Sequence, residues 1–359
     1  MPRICLGRRW TGDGEPTYFI ADISANHDGK LERAKSLIHL AARAGADAAK
    51  FQNFRASRIV SARGFGSLGG KLSHQATWKK SVYEVYEDAT LPWEWTGVLK
   101  AECDAVGIEY FSTPYDFEAV DMLDPYVSMY KLGSGDITWL EMIRRVACKG
   151  KPVLLSTGAS DIGEVQRAVQ TVQRVNTQLV LMQCNTNYSA SPVNLVHVNL
   201  NVLKTYRTVF PDTVLGLSDH TTGDVAVLGA VALGARVVEK HFTDDPTREG
   251  PDHRFSMTPE TWQSMVERTR DLERALGATA KRVEENERET VVVQRRSLRA
   301  ARDVRAGTIL DREDIDVLRP APHDAISPLD LDRVIGMRLR IDISAGEHLR
   351  WDMLSAASE

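Results

Sequence analysis

Eight short apolar, branched-residue runs follow one another along most of the chain. They lie at 18–25 (YFIADISA), 47–52 (DAAKFQ), 108–114 (IEYFSTP), 129–134 (MYKLGS), 152–157 (PVLLST), 179–184 (LVLMQC), 213–219 (TVLGLSD) and 235–242 (ARVVEKHF). Most are nearly continuous rather than alternating, the pattern of parallel strands covered on both faces. Helical period separates them. In LERAKSLIHLAARAG, Leu31, Ala34, Leu37, Ile38 and Ala41 share one face and Gly45 supplies the stop. ITWLEMIRRVACKG and GDVAVLGAVALGA carry similar patterns. Strand and helix alternating in this way over about 250 residues predict a (β/α)8 TIM barrel of the α/β class, with a doubly wound open sheet as the alternative.

The pattern changes near the C-terminus. KRVEENERET (281–290) is almost wholly charged and has no apolar face, which marks a boundary. The expected organisation is a barrel over 1–280, a linker over 281–295 and a small β-rich domain over 296–359. Within that domain RDVRAGTIL and IDISAGEHL resemble each other, a weak internal repeat that predicts pseudo-twofold construction. GFGSLGG (64–70), beside LSHQATWKK, reads as a long insertion after the second strand, of the kind that forms lids.

Composition narrows the function classes. At 359 residues and 43% hydrophobic, the chain has material for about two domains. Its 45 Lys and Arg against 49 Asp and Glu give a net charge of −4, which excludes a basic nucleic-acid reader. VAVLGAVALGA (225–235) falls short of the ~20 residues of a membrane helix and is broken by Gly229 and Gly234. No membrane span, no cleaved signal peptide and a cytoplasmic location are expected. Cys5, Cys103, Cys148 and Cys184 form no CxxC pair, and are expected to be reduced, inert packing residues.

In a barrel, polar residues at the carboxyl ends of strands face the active site. Here every strand end is polar, from Asn26-His27 after the first run to Glu239-Lys240-His241 in the last. His220 and His241 end adjacent strands, so their imidazoles can converge on one divalent ion, Mn2+ or Mg2+, with positions open to water and substrate. Glu239, Asp219 and Asp252 are candidates to orient those ligands or to bind hydroxyls, the alternative being salt bridges under the rim. Lys50 and Lys131 sit on apolar strands, where a charge needs an anionic partner. With Thr113, Ser134, Ser156 and Ser218 and the glycines of LGSG and STG, they make a cradle for phosphate and carboxylate. The rival use of either lysine is a Schiff base.

The strings IADISANHDG, AAKFQ, STPYD, YKLGSGD, LLSTGA, GLSDHT, EKHFT and GPDHRFSM resemble the sialic acid synthase family, and the C-terminal unit is similar to that family's antifreeze-like (SAF) domain. The resemblance implies condensation of phosphoenolpyruvate with an N-acylated hexosamine to a nine-carbon 2-keto sugar acid. It implies that Lys50, Thr113, Lys131, Ser134, Ser156 and Ser218 hold phosphoenolpyruvate, that His220 and His241 bind the metal, and that Asp252 contacts sugar hydroxyls. It further implies that Arg319 of LRPAP reaches the sugar's acyl side across a domain-swapped homodimer. Asn187 and Tyr188 fall on the sugar side, and Asp22, Asp136 or a histidine is placed to handle water or a proton.

Three positions depart from the family pattern. Members that make neuraminic acid commonly carry Glu where Asp22 and Asp136 stand, and CNTNY puts Thr186 where an asparagine is usual. The acceptor is therefore less determined than the reaction: N-acetylmannosamine, a diacetamido-dideoxy hexose of the legionaminate or pseudaminate type, or another sugar aldehyde. A Schiff-base pyruvate aldolase and a non-catalytic binding protein are the other classes to weigh.

Overall fold

The computed structural model describes residues 2–357, and the chain divides into two compact units between Gly277 and Ala278. In the first, eight parallel strands close into a barrel in the order β10-β3-β4-β5-β6-β7-β8-β9. They are β3 (Tyr18–Asp22), β4 (Ala48–Asn53), β5 (Glu109–Pro114), β6 (Tyr130–Leu132), β7 (Val153–Ser156), β8 (Leu179–Cys184), β9 (Val214–Asp219) and β10 (Val237–His241). Each predicted run supplies one of them, so the closed barrel holds and the open sheet does not. The strands are buried almost throughout because helices cover the outside. On the helix Leu31–Arg43, Ala34, Leu37, Ile38 and Ala41 are buried, and Gly45 follows at φ +91°, a conformation that favours glycine.

Some runs, 18–25 and 129–134 among them, extend past the carboxyl ends of their strands. The first strand ends at Asp22, Ile23 is already helical at φ −70° and ψ −33°, and Ser24–His27 turns as a 3-10 helix that begins with Ser24 at φ 46°. An N-terminal hairpin, β1 (Arg3–Leu6) paired with β2 (Arg9–Gly12), went unpredicted because each strand is only four residues long, too short to show a period. Thr11 Oγ1 donates to the Arg236 carbonyl at 2.8 Å, which ties the hairpin to the amino end of β10, opposite the polar strand ends.

The insertion after β4 is more ordered than a loop. It folds as the helices Ala56–Ile59, Ala62–Ser67 and Val82–Asp88, with a 3-10 turn over Ser73–Thr77. Ser81 and Glu84 form a reciprocal capping box on the last helix. The segment has its own apolar cluster, Ala56, Val60 and Val82, with Trp78, Tyr83 and Tyr86 packed against it.

The second unit holds a separate core that includes Leu298, Ile315, Val334 and Leu354, with strand pairs β11 (Ser297–Ala300) with β12 (Ile315–Leu318) and β13 (Arg338–Leu339) with β14 (Leu354–Ser355). Part of the expected linker is helical, over Arg288–Gln294. The sequence repeat is realised atom for atom. Val304 and Ile343 exchange both backbone hydrogen bonds at 2.9 Å. Asp303 accepts from Ala345 N at 2.8 Å, and Asp342 accepts from Ala306 N at 2.7 Å. Among the described residues no helix is long and apolar enough to cross a membrane.

Candidate active site

Side chains alternate across a strand, and this period aims one set from all eight strands into a single cavity at their carboxyl ends. Asp22 comes from β3, Lys50 and Gln52 from β4, Thr113 from β5, Lys131 from β6, Ser156 from β7, Cys184 from β8, Ser218 from β9, and Glu239 and His241 from β10. Loops add Ser24, Ser134, Tyr188, His220 and Asp252 to the same cavity.

The floor is a buried charge cluster. Lys50 Nζ lies 2.7 Å from Asp22 Oδ2 and 3.4 Å from Glu239 Oε1, and Lys131 Nζ lies 3.6 Å from the same Glu239 oxygen. Ser218 Oγ donates to that oxygen at 3.1 Å. Burial opposes the charge on Lys50, but Asp22 and Glu239 outweigh it and hold its pKa above the usual lysine value. Lys131 goes the other way: burial lowers its pKa, and Glu239 only partly offsets this against neighbouring Lys50. Glu239, facing both lysines, is held below the usual carboxylate range despite its burial. Burial raises the Asp22 carboxyl.

Around this floor, buried polar atoms have no partner. Thr113 Oγ1, Ser156 Oγ, Asp22 Oδ1, Glu239 Oε2 and His241 Nδ1 all line the cavity and make no hydrogen bond within the chain. Buried polar groups are ordinarily paired, so a wall of unpaired ones is a surface prepared for a polar ligand. Ser134 Oγ accepts from Gly158 N at 2.9 Å, which leaves its own proton free to donate.

The histidine pair suits a divalent ion. His220 Nδ1 lies 2.9 Å from the Asn185 carbonyl, an acceptor only, so Nδ1 carries the proton and Nε2 keeps its lone pair. Burial, with His241 beside it, pushes the His220 pKa down to about 3, so the ring is neutral as a ligand must be. The His220 and His241 ring centroids lie 5.4 Å apart. Among the described residues no three His, Cys, Asp or Glu side chains group to hold an ion by themselves. A divalent ion held here would take two ligands from this pair and the rest from water or a substrate oxygen. The charge balance points the same way: Asp22, Glu239, Lys50 and Lys131 cancel when all are ionised, so a multiply charged anion needs further positive charge.

Other nominated residues sit elsewhere. Lys240 is buried away from the cavity, donating to Asp219 Oδ2 at 2.5 Å and to the Thr221 carbonyl at 2.6 Å, so Asp219 makes a structural ion pair. Asn26 bonds the Phe242 carbonyl at 2.9 Å, and His27, pushed down to about 4 by burial, packs edge-on against Trp95. Asp136 follows β6 but is not in the cavity wall, and burial raises its carboxyl to about 6 against the opposing pull of Lys131. Asn187 is exposed, its Oδ1 accepting from Asn194 Nδ2 at 3.2 Å and Ser189 N at 3.1 Å to shape the loop around Tyr188. Arg319 lies in the second unit, exposed, after β12.

The reading of all four cysteines as inert packing fails twice: Cys148 is exposed, and Cys184 lies in the cavity wall with Sγ 3.8 Å from His220 Nδ1. Gln52, a polar strand end of the same parity as Lys50, lines the cavity as the strand-end pattern implies. Sequence reasoning missed Ser24 and Tyr115, and the lid residues His74, Trp78 and Tyr86. The lid residues had no such signal, because tertiary contact alone brings them over the barrel, as His74 shows by packing edge-on against Tyr188 with centroids 4.9 Å apart.

A closed eight-stranded barrel with its polar cavity at the strand carboxyl ends has the architecture of barrel enzymes. The chain belongs to the NeuB family: that family's model matches residues 37–281, and the SAF domain model matches 295–355. It is 35% identical to the N,N'-diacetyllegionaminic acid synthase of Legionella pneumophila, over 96% of each chain. It is 30% identical to the human N-acetylneuraminate-9-phosphate synthase, over 98% of this chain and 97% of that one. Among solved structures, the N-acetylneuraminic acid (sialic acid) synthetase of Leptospira borgpetersenii, in complex with citrate, superposes with a TM-score of 0.71 at 28% identity, covering 80% of this chain and 95% of that one.

Proposed function

We propose that this protein condenses phosphoenolpyruvate with the open-chain aldehyde of an N-acylated hexosamine, giving a nonulosonic acid and phosphate. The observation that carries the reading is the ring of unpartnered buried oxygens, Thr113 and Ser156 foremost, around two buried lysines. Such donors suit a small, multiply charged anion. Lys50, Lys131, Thr113, Ser134, Ser156 and Ser218 hold its carboxylate and phosphate. Asp252, whose Oδ2 already accepts from Ser24 Oγ at 2.6 Å, and Tyr188 face the sugar hydroxyls.

In the reaction C3 of phosphoenolpyruvate bonds to the aldehyde carbon, water adds at C2, and the C2–O bond to phosphate breaks. His220 and His241 would hold a divalent ion, Mn2+ or Mg2+, which when bound would supply Lewis-acid polarisation of the aldehyde. The lysines and hydroxyls keep the anionic groups fixed while C2 becomes electron-poor. Asp22, beside Lys50 and His241, is placed to position the water or carry its proton. Asp136 is the other carboxyl available for a proton. Arg319 acts on the acceptor's acyl side from a second copy of the chain in a domain-swapped homodimer, and Asn187 belongs to the sugar side.

The test is phosphate release from phosphoenolpyruvate with Mn2+ across a panel of N-acylated hexosamines, with the 2-keto acid detected by mass. Sugar-dependent release with a matching product mass is expected. Release that ignores the sugar, or a borohydride-trapped pyruvate adduct on Lys50 or Lys131, overturns the reading. Full activity from a monomer by light scattering overturns the role given to Arg319.

A further inference from the structure

The two halves of the cavity differ in kind. The strand ends provide the charged floor, whereas the upper wall comes from the segment after β4 and is apolar and aromatic: Phe54, Ile59, Trp78, Val85, Tyr86 and Ala89 line it. Phe54 and Tyr86 pack with centroids 5.5 Å apart, and Tyr86 and Trp78 lie 6.5 Å apart on the segment's own apolar cluster, so the wall is built rather than draped. His74 packs edge-on against both Trp78 and Tyr188, and burial lowers its pKa, so it adds an aromatic ring without charge.

The segment carries cations, but none lines the cavity. Arg55 and Arg58 pair with Glu118, Lys79 with Glu249 and Lys80 with Asp88. Lys71 donates to the Trp78 carbonyl, and Arg63 is exposed. An acceptor whose aldehyde sits over the floor directs its far end at this wall. A phosphate there would be desolvated with no counter-charge, while methyl groups would be buried favourably.

We infer that the first unit selects a neutral acceptor whose end remote from the aldehyde carries apolar groups, a deoxy carbon or acylamino methyls, and rejects one phosphorylated there. Trp78 and Tyr86 are the specificity-determining residues. This rests on the condensation reading above, and three probes separate the two: N-acetylmannosamine, its 6-phosphate, and a 6-deoxy diacetamido hexose, each with phosphoenolpyruvate and Mn2+.

The expected order of kcat/KM is deoxy diacetamido sugar, then N-acetylmannosamine, then the phosphate, with roughly 100-fold or more between first and last. Trp78→Ala and Tyr86→Ala should raise KM for the deoxy sugar by about 10-fold or more, leaving the KM for phosphoenolpyruvate within about 2-fold. An unchanged phosphoenolpyruvate KM also reports that each variant is folded. Use of the 6-phosphate equal to or better than the deoxy sugar overturns the inference and leaves the condensation reading standing, as does an unchanged sugar KM in both variants. Phosphate release with none of the three sugars overturns both.

Discussion

Glu239 is the keystone of the cavity floor, and replacing it with glutamine removes a charge while changing little else. The residue is 4% exposed, and the amide oxygen can still accept from Ser218. Lys50 keeps Asp22 at 2.7 Å, but Lys131 retains only the Leu132 carbonyl at 3.0 Å. At 3.6 Å and an effective dielectric near 20, the lost Lys131 attraction is about 4–5 kcal/mol, and the Lys50 attraction lost at 3.4 Å is of the same size but offset by relief of the repulsion between Glu239 and Asp22. Part returns because a buried carboxylate no longer needs to be desolvated, and part because Lys131, its pKa already lowered by burial, can shed its proton. The expected net loss for Glu239→Gln at pH 7 is therefore about 2–4 kcal/mol, read as a fall in the barrel's melting temperature of roughly 2–4 °C per kcal/mol. Phosphoenolpyruvate should narrow the gap between variant and wild type, since its carboxylate or phosphate replaces the missing charge. A variant within about 0.5 kcal/mol of wild type, with no differential response to phosphoenolpyruvate, refutes the view that the lysines are charged and held for an anion.

Three further outcomes follow from other parts of the site. His220→Ala and His241→Ala should each abolish measurable Mn2+ binding by calorimetry and lower kcat by about 100-fold or more, and chelation of wild type should give the same loss, reversed by Mn2+. Asp136 has a folded-state pKa near 6 against an unfolded value of 3.8, so it contributes stability that is complete below about pH 4 and lost as pH rises through 6. Asp136→Asn should abolish that slope, gaining about 1–2 kcal/mol over wild type at pH 7.5 in urea titrations; parallel pH profiles contradict the assignment. A Cβ at Gly158 would meet Thr186 Cγ2 at 2.5 Å and Ser134 Oγ at 3.0 Å. Gly158→Ala should displace the Ser134 hydroxyl and weaken phosphoenolpyruvate binding by about 10-fold or more, with the sugar KM little changed.

The barrel was legible because a parallel strand buried on both faces must be apolar along its length, and eight such runs recur with helical period between them. The same fact exposed the floor: Lys50 and Lys131 are conspicuous because such strands leave no room for unpaired charge. The sequence also carried the twofold repeat of the second unit, since Asp303 and Asp342 recur at equivalent positions to make equivalent bonds.

What the tertiary structure alone decided is which polar strand-end residues face each other. Glu239 and Lys240 are neighbours in the chain, yet the pleat sends one to the lysines of the floor and the other to Asp219 outside it. Lys50 and Glu239 are distant in sequence and meet because the barrel closes β10 on β3 beside β4. The lid shows the limit most plainly. Its short, glycine-interrupted pattern reads as loop, and only packing over the barrel turns Trp78 and Tyr86 into a wall of the cavity. Local pattern records whether a residue must be buried; which partner it meets there depends on closure, register and long-range packing, which one sequence does not encode locally.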